Sequence, residues 1–212
     1  MSGFMVNDPS QQDSPSIHPS TSLLKKVSRQ AIITVGIQAL HEVGSDPICK
    51  VCIANGGSCC NGCRHLADGI GCQQRNTSCT AWLCGFLKFL LYETGLLREW
   101  NDFWDQVPGQ DFREDFTPEV FFMEKSLHLP DIRNLSEALA ADLQELARTH
   151  IAIGFILTLR EKIDKNIDQL EYFEDDPKKQ ISLKRSIKML SGPFYRFQKE
   201  LHDYRQMLQN TK

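Results

Sequence analysis

A chain of 212 residues, 41% hydrophobic and 24% charged, has the composition of a globular protein able to bury a core of its own. Its net charge of −3, from 24 basic and 27 acidic side chains, is not that of a dedicated nucleic-acid binder. Disulfide staples are needed chiefly by secreted chains below about 80 residues, so length alone argues against one.

Residues 1–19 are rich in Ser, Pro, Gln and Asp and poor in apolar side chains, which predicts a disordered tail. With no basic flank and no apolar h-region there, no secretory signal is expected, and the expected location is the reducing cytoplasm. The longest apolar run, "FLKFLLYETGLL", is broken by Lys88 and Glu93 and falls short of the roughly 18 residues of a membrane span, so no membrane partner is expected. From Ser22, a possible N-cap, Leu23, Val27, Ala31, Val35, Ala39 and Val43 recur at helical spacing and predict one helix stopping at Gly44.

The segment "CKVCIANGGSCCNGCRHLADGIGCQQRNTSCTAWLC" then holds all eight cysteines: Cys49, Cys52, Cys59, Cys60, Cys63, Cys72, Cys79 and Cys84. Its glycines and Asp46-Pro47 predict mostly turns, with strands limited to short pieces. Cys49/Cys52 and Cys60/Cys63 are C-x-x-C pairs, in which a tight loop turns two thiolates onto one ion. Eight thiolates suit two four-thiolate zinc sites, two iron-sulfur clusters, or one of each, and ligand softness does not separate zinc from iron. All eight are therefore candidate metal ligands. Adjacent Cys59 and Cys60 point in different directions, which favours interleaved sites, and His65 is a further candidate more in keeping with a surface or supporting role. Four disulfides, or clustered inert thiols, are the alternatives; unoccupied, so many thiols are an oxidation liability.

The elements "CKVC", "GGSCCNGC", "GIGCQQRNTSC" and "AWLC" resemble the cysteine-cluster proteins described as zinc- or iron-chelating, marked by a C-x-x-C near a CC pair and about eight cysteines in all. The resemblance covers about residues 49–84, with a longer gap between Cys52 and Cys59 than the family usually has. It implies metal chelation. A flagellin lysine methylase related to that family supplies an enzyme alternative, an iron-sulfur redox or protein-modifying activity.

After Cys79 the period changes. "CTAWLCGFLKFLLYETG" predicts a core helix ending at Gly95, and "LLREWNDFWDQV" an amphipathic one ending at Pro108-Gly109. Between Glu93 and Glu119 eight acids face two arginines, around Trp100, Phe103, Trp104, Phe112 and Phe116: an aromatic core face with an acidic rim, or a surface for a basic partner. Residues 108–131 predict a loop with one short helix after Pro118. Asn134 and Glu137 form a possible capping box for a helix carrying Leu139, Leu143, Leu146, His150, Ile153, Ile156, Ile163, Ile167 and Leu170. Unbroken to Phe173, it spans roughly 60 Å at about 1.5 Å per residue. Asp175-Asp176-Pro177 turns the chain into a returning arm with Leu183, Ile187, Leu190, Phe194, Phe197, Leu201, Tyr204 and Leu208, interrupted at Ser191-Gly192-Pro193.

The predicted fold is all-α: a disordered tail (1–19), a helical cysteine-cluster domain around a loop-rich metal knot (20–130), and a long antiparallel helical hairpin (131–212). The predicted role is a metal-binding protein, with zinc or an iron-sulfur cluster, acting as an interaction or adaptor protein. Its aromatic seam, too large for one antiparallel partner to hide, is covered either by the protein's own core or, the expectation favoured here, by a second copy in a homodimer. From Asp176 onward nine basic residues outnumber three acids, so a nucleic-acid-binding zinc module is a further alternative. No nucleotide-binding or hydrolase motif is present.

Overall fold

The computed structural model describes residues 24–58, 63, 65–67, 71–72, 75–111, 114–150, 152 and 154–210; the side chains of 66, 67, 71 and 72 are outside the description. The predicted tail, Cys59 and Cys60 lie outside the described residues, as do Leu23, Phe112 and Ile153. The protein is mostly helical, as expected, with short strand pieces added.

The first element is a strand, β1 (Lys25–Ser28), where a helix was expected. It pairs antiparallel with β6 (Val120–Met123), Lys25 opposite Met123 and Ser28 opposite Val120. The partner strand occupies the stretch where a short helix after Pro118 was predicted. Its alternation supplies the reason, since Phe121 and Met123 are buried while Val120 and Phe122 face outward. Helix α1 (Arg29–Glu42) starts nearly two turns later than expected and is capped by Ser28 instead of Ser22, the Ser28 hydroxyl accepting from the Ala31 amide at 3.2 Å. The buried stripe is also shifted: Ile32, Ile33, Gly36, Ala39 and Leu40 face inward, while Ala31 and Val35 are exposed.

Helix α2 (Ser45–Ala54) follows directly from Gly44, so the cysteine segment begins on a helix, not in the turns expected. Then come the two-residue strands β2 (Leu66–Ala67) and β3 (Gly71–Cys72), paired antiparallel, and the short α3 (Thr77–Ala81). Residues 82–84 separate α3 from α4 (Gly85–Thr94), splitting the single helix predicted over this run. Gly95 ends α4 in the left-handed region (φ 77). The amphipathic α5 (Leu97–Trp104) buries Trp100, Phe103 and Trp104, which gives these three the core role; Phe116 is exposed. A second small hairpin, β4 (Gln110–Asp111) with β5 (Glu114–Asp115), precedes β6.

The C-terminal half differs most from expectation. The predicted long helix is two, α6 (Arg133–Thr149) and α7 (Phe155–Tyr172), separated at Gly154, whose φ of 80 the helix cannot continue through. At about 1.5 Å per residue each is under half the length expected of the unbroken helix. The capping box at Asn134 does not form: α6 starts at Arg133, whose amide donates to Asp131 Oδ1 at 3.1 Å. The returning arm is α8 (Pro177–Leu190), capped by Asp176, and α9 (Tyr195–Asn210).

These four helices do not stand apart from the rest. α7 lies between α4 and α8, and α6 lies between α2 and α9. Phe194 and Phe197 are fully buried with ring centroids 5.5 and 5.3 Å from that of Phe89 on α4. The protein's own "FLKFLLY" helix therefore packs on Phe194 and Phe197 of the seam, while Leu208, farther along α9, is exposed. One continuous apolar core runs from Ile32 to Leu201, across the boundary expected near residue 130. Two buried polar contacts fix it. Ser136 donates to the Val43 carbonyl at the end of α1, and Asp142, 2% exposed, accepts from Arg196 Nη1 at 3.0 Å and the Phe197 amide at 2.9 Å. Among the described residues no helix is long and apolar enough to cross a membrane.

Candidate metal centre

Cys49 and Cys52 are three apart on α2, hence neighbours on its surface; Cys49 is half-buried and Cys52 buried. α2 ends at Asn55, whose side-chain amide donates to the Val51 carbonyl at 2.8 Å. The Gly57 amide then donates to the Cys52 carbonyl at 2.9 Å, folding the chain back so that Gly57 lies against Cys52 Sγ. Cys84 is buried at the position preceding α4, next to Gly85. A Cβ at Gly85 would strike the Arg160 carbonyl oxygen, so the absent side chain lets α4 seat on α7.

Arg160 of α7 meets both stretches, its side chain at Cys52 and its backbone at Gly85. Its Nη1 donates to Cys52 Sγ at 3.2 Å, and its side chain is only 14% exposed. A guanidinium cannot lose its proton, so a buried arginine donating to sulfur places a permanent positive charge at that cysteine. Neither composition nor the C-x-x-C pattern pointed to Arg160, although a basic residue four after buried Ile156 and three before buried Ile163 sits within the apolar stripe of α7.

The other cysteines are placed less closely. Cys79 is half-buried on α3, its amide donating to the N-cap Asn76 Oδ1 at 2.7 Å. Cys72 lies opposite Leu66 in the β2–β3 ladder, one of the short strand pieces expected in this segment. Cys63 and His65 are half-buried. Cys52 and Cys63 carry free thiols, which disfavours the four-disulfide alternative for these two. Among the described residues no three His, Cys, Asp or Glu side chains converge as a metal-binding group. Cys59, Cys60 and the Cys72 side chain fall outside that search, so the described geometry holds five of the eight candidate thiols. The chemistry of the full donor set, soft sulfur throughout, fits zinc or iron and not magnesium or calcium.

A polar cluster adjoins this region. Lys88 of α4 reaches Asp164 Oδ1 at 2.6 Å and Asp168 Oδ1 at 2.5 Å, both on α7. Burial pulls the Lys88 ammonium down, but hydrogen bonds and charge from the two carboxylates outweigh it and raise it above its ordinary value. Glu171 is raised by burial and by Asp168, and accepts from Asn101 Nδ2 at 2.7 Å. The Lys88 triad is a bridge between α4 and α7 of the kind that orients helices. A second network holds α3 to the β4–β5 hairpin. Asp115 accepts from the Thr77 hydroxyl (2.6 Å), the Thr77 amide (3.0 Å) and the Thr117 amide (3.0 Å). Burial pushes Asp115 up, and these bonds overcome it, leaving the carboxyl below its ordinary range.

No protein-family model matches the chain, and no match is found among curated proteins or solved structures. The likeness of residues 49–84 to a cysteine-cluster family thus rests on the cysteine spacing alone.

Proposed function

We propose that residues 49–84 form a thiolate metal centre, holding zinc or an iron-sulfur cluster, which organises the end of a helical interaction protein working in a reducing compartment. One observation carries this reading: all eight cysteines occupy one segment, and among the described residues Cys52 and Cys84 are buried, Cys52 against the Arg160 guanidinium and Cys84 next to Gly85, which abuts the Arg160 backbone. The Arg160 guanidinium at the Cys52 sulfur supplies a fixed positive charge that would partly balance the negative charge of a thiolate ligand set. Cys49, Cys52, Cys59, Cys60, Cys63, Cys72, Cys79 and Cys84 are the proposed ligands, and the metal contributes cross-links that the short β2–β3 ladder cannot provide. The adaptor role draws support from the helices of the C-terminal half, which offer extended faces on a core that the rest of the chain already fills.

Anaerobic purification followed by a visible spectrum and elemental analysis tests the reading. Brown colour with iron identifies a cluster, and a colourless protein with about two zinc ions identifies four-thiolate sites. Absence of both metals refutes the proposal.

A further inference from the structure

Helix α8 buries Leu183 and Ile187 against α7 and leaves its opposite face open. That face carries Lys178, Lys184, Arg185 and Lys188, with Ile181 (63% exposed) and Met189 (69%) between them. No acidic residue occurs from Pro177 through Lys199. Among the described residues none of these four cations reaches a carboxylate at ion-pair distance.

The helix contacts inside this protein show what such a face lacks. Where α4 meets α7, Lys88 faces Asp164 and Asp168. At the α6–α9 contact Arg196 faces Asp142, and beside the Phe89–Phe197 contact Arg205 faces Glu93. Each is an apolar contact flanked by a cation from one helix and a carboxylate from the other. The outer face of α8 has the same composition without the second half: Ile181, the stem of Arg185 and Met189 form a ridge at i, i+4, i+8, with cations on both sides. The phosphates of a nucleic acid would leave the two aliphatic side chains without a counterpart, and the carboxylates flanking this chain's own helix contacts are already engaged.

We propose that the outer face of α8 docks an acidic amphipathic helix of a partner protein, with the partner's apolar stripe on Ile181 and Met189 and its carboxylates on Lys178, Lys184, Arg185 and Lys188. This names the partner chemistry of the interaction reading and does not depend on the metal. Charge complementarity of this kind speeds encounter and fixes register, while the apolar ridge sets the alignment.

The test is fluorescence anisotropy of the full chain with a labelled helical peptide of glutamates carrying leucines three and four apart. A scrambled peptide of the same composition, duplex DNA and phosphatidylserine vesicles are run in parallel, with metal content measured on every sample. Saturable binding of the patterned peptide is expected, weakened about tenfold or more by the pair Lys184→Glu and Arg185→Glu, and separately by Ile181→Ser with Met189→Ser. All four side chains are exposed, so circular dichroism and metal content stay unchanged. Equal binding of the scrambled peptide, no binding of the patterned one, or binding to DNA or vesicles alone overturns the proposal. So does a dimer by light scattering that these substitutions dissociate. Any of these results with metal retained leaves the metal reading standing, and loss of metal with peptide binding intact does the reverse.

Discussion

Asp142 shows how much of this fold hangs on single polar groups. It is an acid placed three after Leu139 and four before Leu146, inside an apolar stripe, and its two oxygens are spent on Arg196 and on the Phe197 amide. Arg196 is half exposed and can return to water; the amide cannot. Asp142→Leu is therefore expected to cost about 1–3 kcal/mol, the amide being left without an acceptor, and Arg196→Gln at least about 1 kcal/mol, because it leaves the buried carboxylate without its counter-charge. Urea denaturation checks this by a lower midpoint at unchanged slope for both. Asp115 gives a pH dependence of definite sign. Its folded-state carboxyl lies below the ordinary value of 3.8, so the stability it contributes is present above that pH and is lost as pH falls through the lower folded value. Asp115→Asn should flatten the stability profile below about pH 4 while lowering the plateau at neutral pH. A profile as steep as that of the parent protein would show that Asp115 is not the group being titrated. Such residues are partly legible beforehand: an acid on a buried stripe is a visible anomaly, whereas the meeting of Thr77 with Asp115 depends on a hairpin that the pattern of residues 108–131 does not reveal.

Among the elements, the helices with a clean apolar period were legible, and so were the ends marked by Gly44, Gly95 and Asp176-Pro177, while the unmarked ends were not. Ile163, Ile167 and Leu170 are buried at the expected spacing, and Asp176-Pro177 starts α8 as expected. Apolar residues continue at 3-4 spacing on both sides of the break, which shows only in the backbone, extended at His150 and left-handed at Gly154. β1 was read as helix because four residues are too few to show a period, and strand propensity counts for little until β6 arrives to pair with it. Gly85 was one glycine among thirteen in the sequence, yet it sets the approach of α4 to α7. Gly85→Ala places a methyl against the Arg160 backbone, and a loss of about 1–3 kcal/mol is expected because backbone yields less readily than a side chain. Near-ultraviolet circular dichroism should change with it, since Phe86 and Phe89 move with α4. The cysteine segment was legible as a donor set but not as geometry: spacing identifies thiolates able to share an ion, and Arg160, more than a hundred residues away from Cys52 in sequence, belongs to tertiary structure alone.

For the whole molecule, one core joins the cysteine-bearing half to the C-terminal helices through α4, α6 and α7. That arrangement determines what loss of metal does. Cys49 and Cys52 sit on α2, which packs on α6, and Cys84 opens α4, which packs on α7. Cys49→Ser or Cys60→Ser is expected to raise amide exchange through residues 49–84, with α8 and α9 keeping their protection because they join the core through α7 and through Phe89. Exchange rising equally in all helices would mean that the segment and the core unfold as one unit. Whether the eight cysteines hold metal is decided by elemental analysis of the anaerobically purified full chain, read together with its visible spectrum. Either about two zinc ions per chain in a colourless protein or iron with visible absorption is expected, in both cases reduced by serine at Cys52 or Cys84. A folded chain with eight titratable free thiols and neither metal would contradict it.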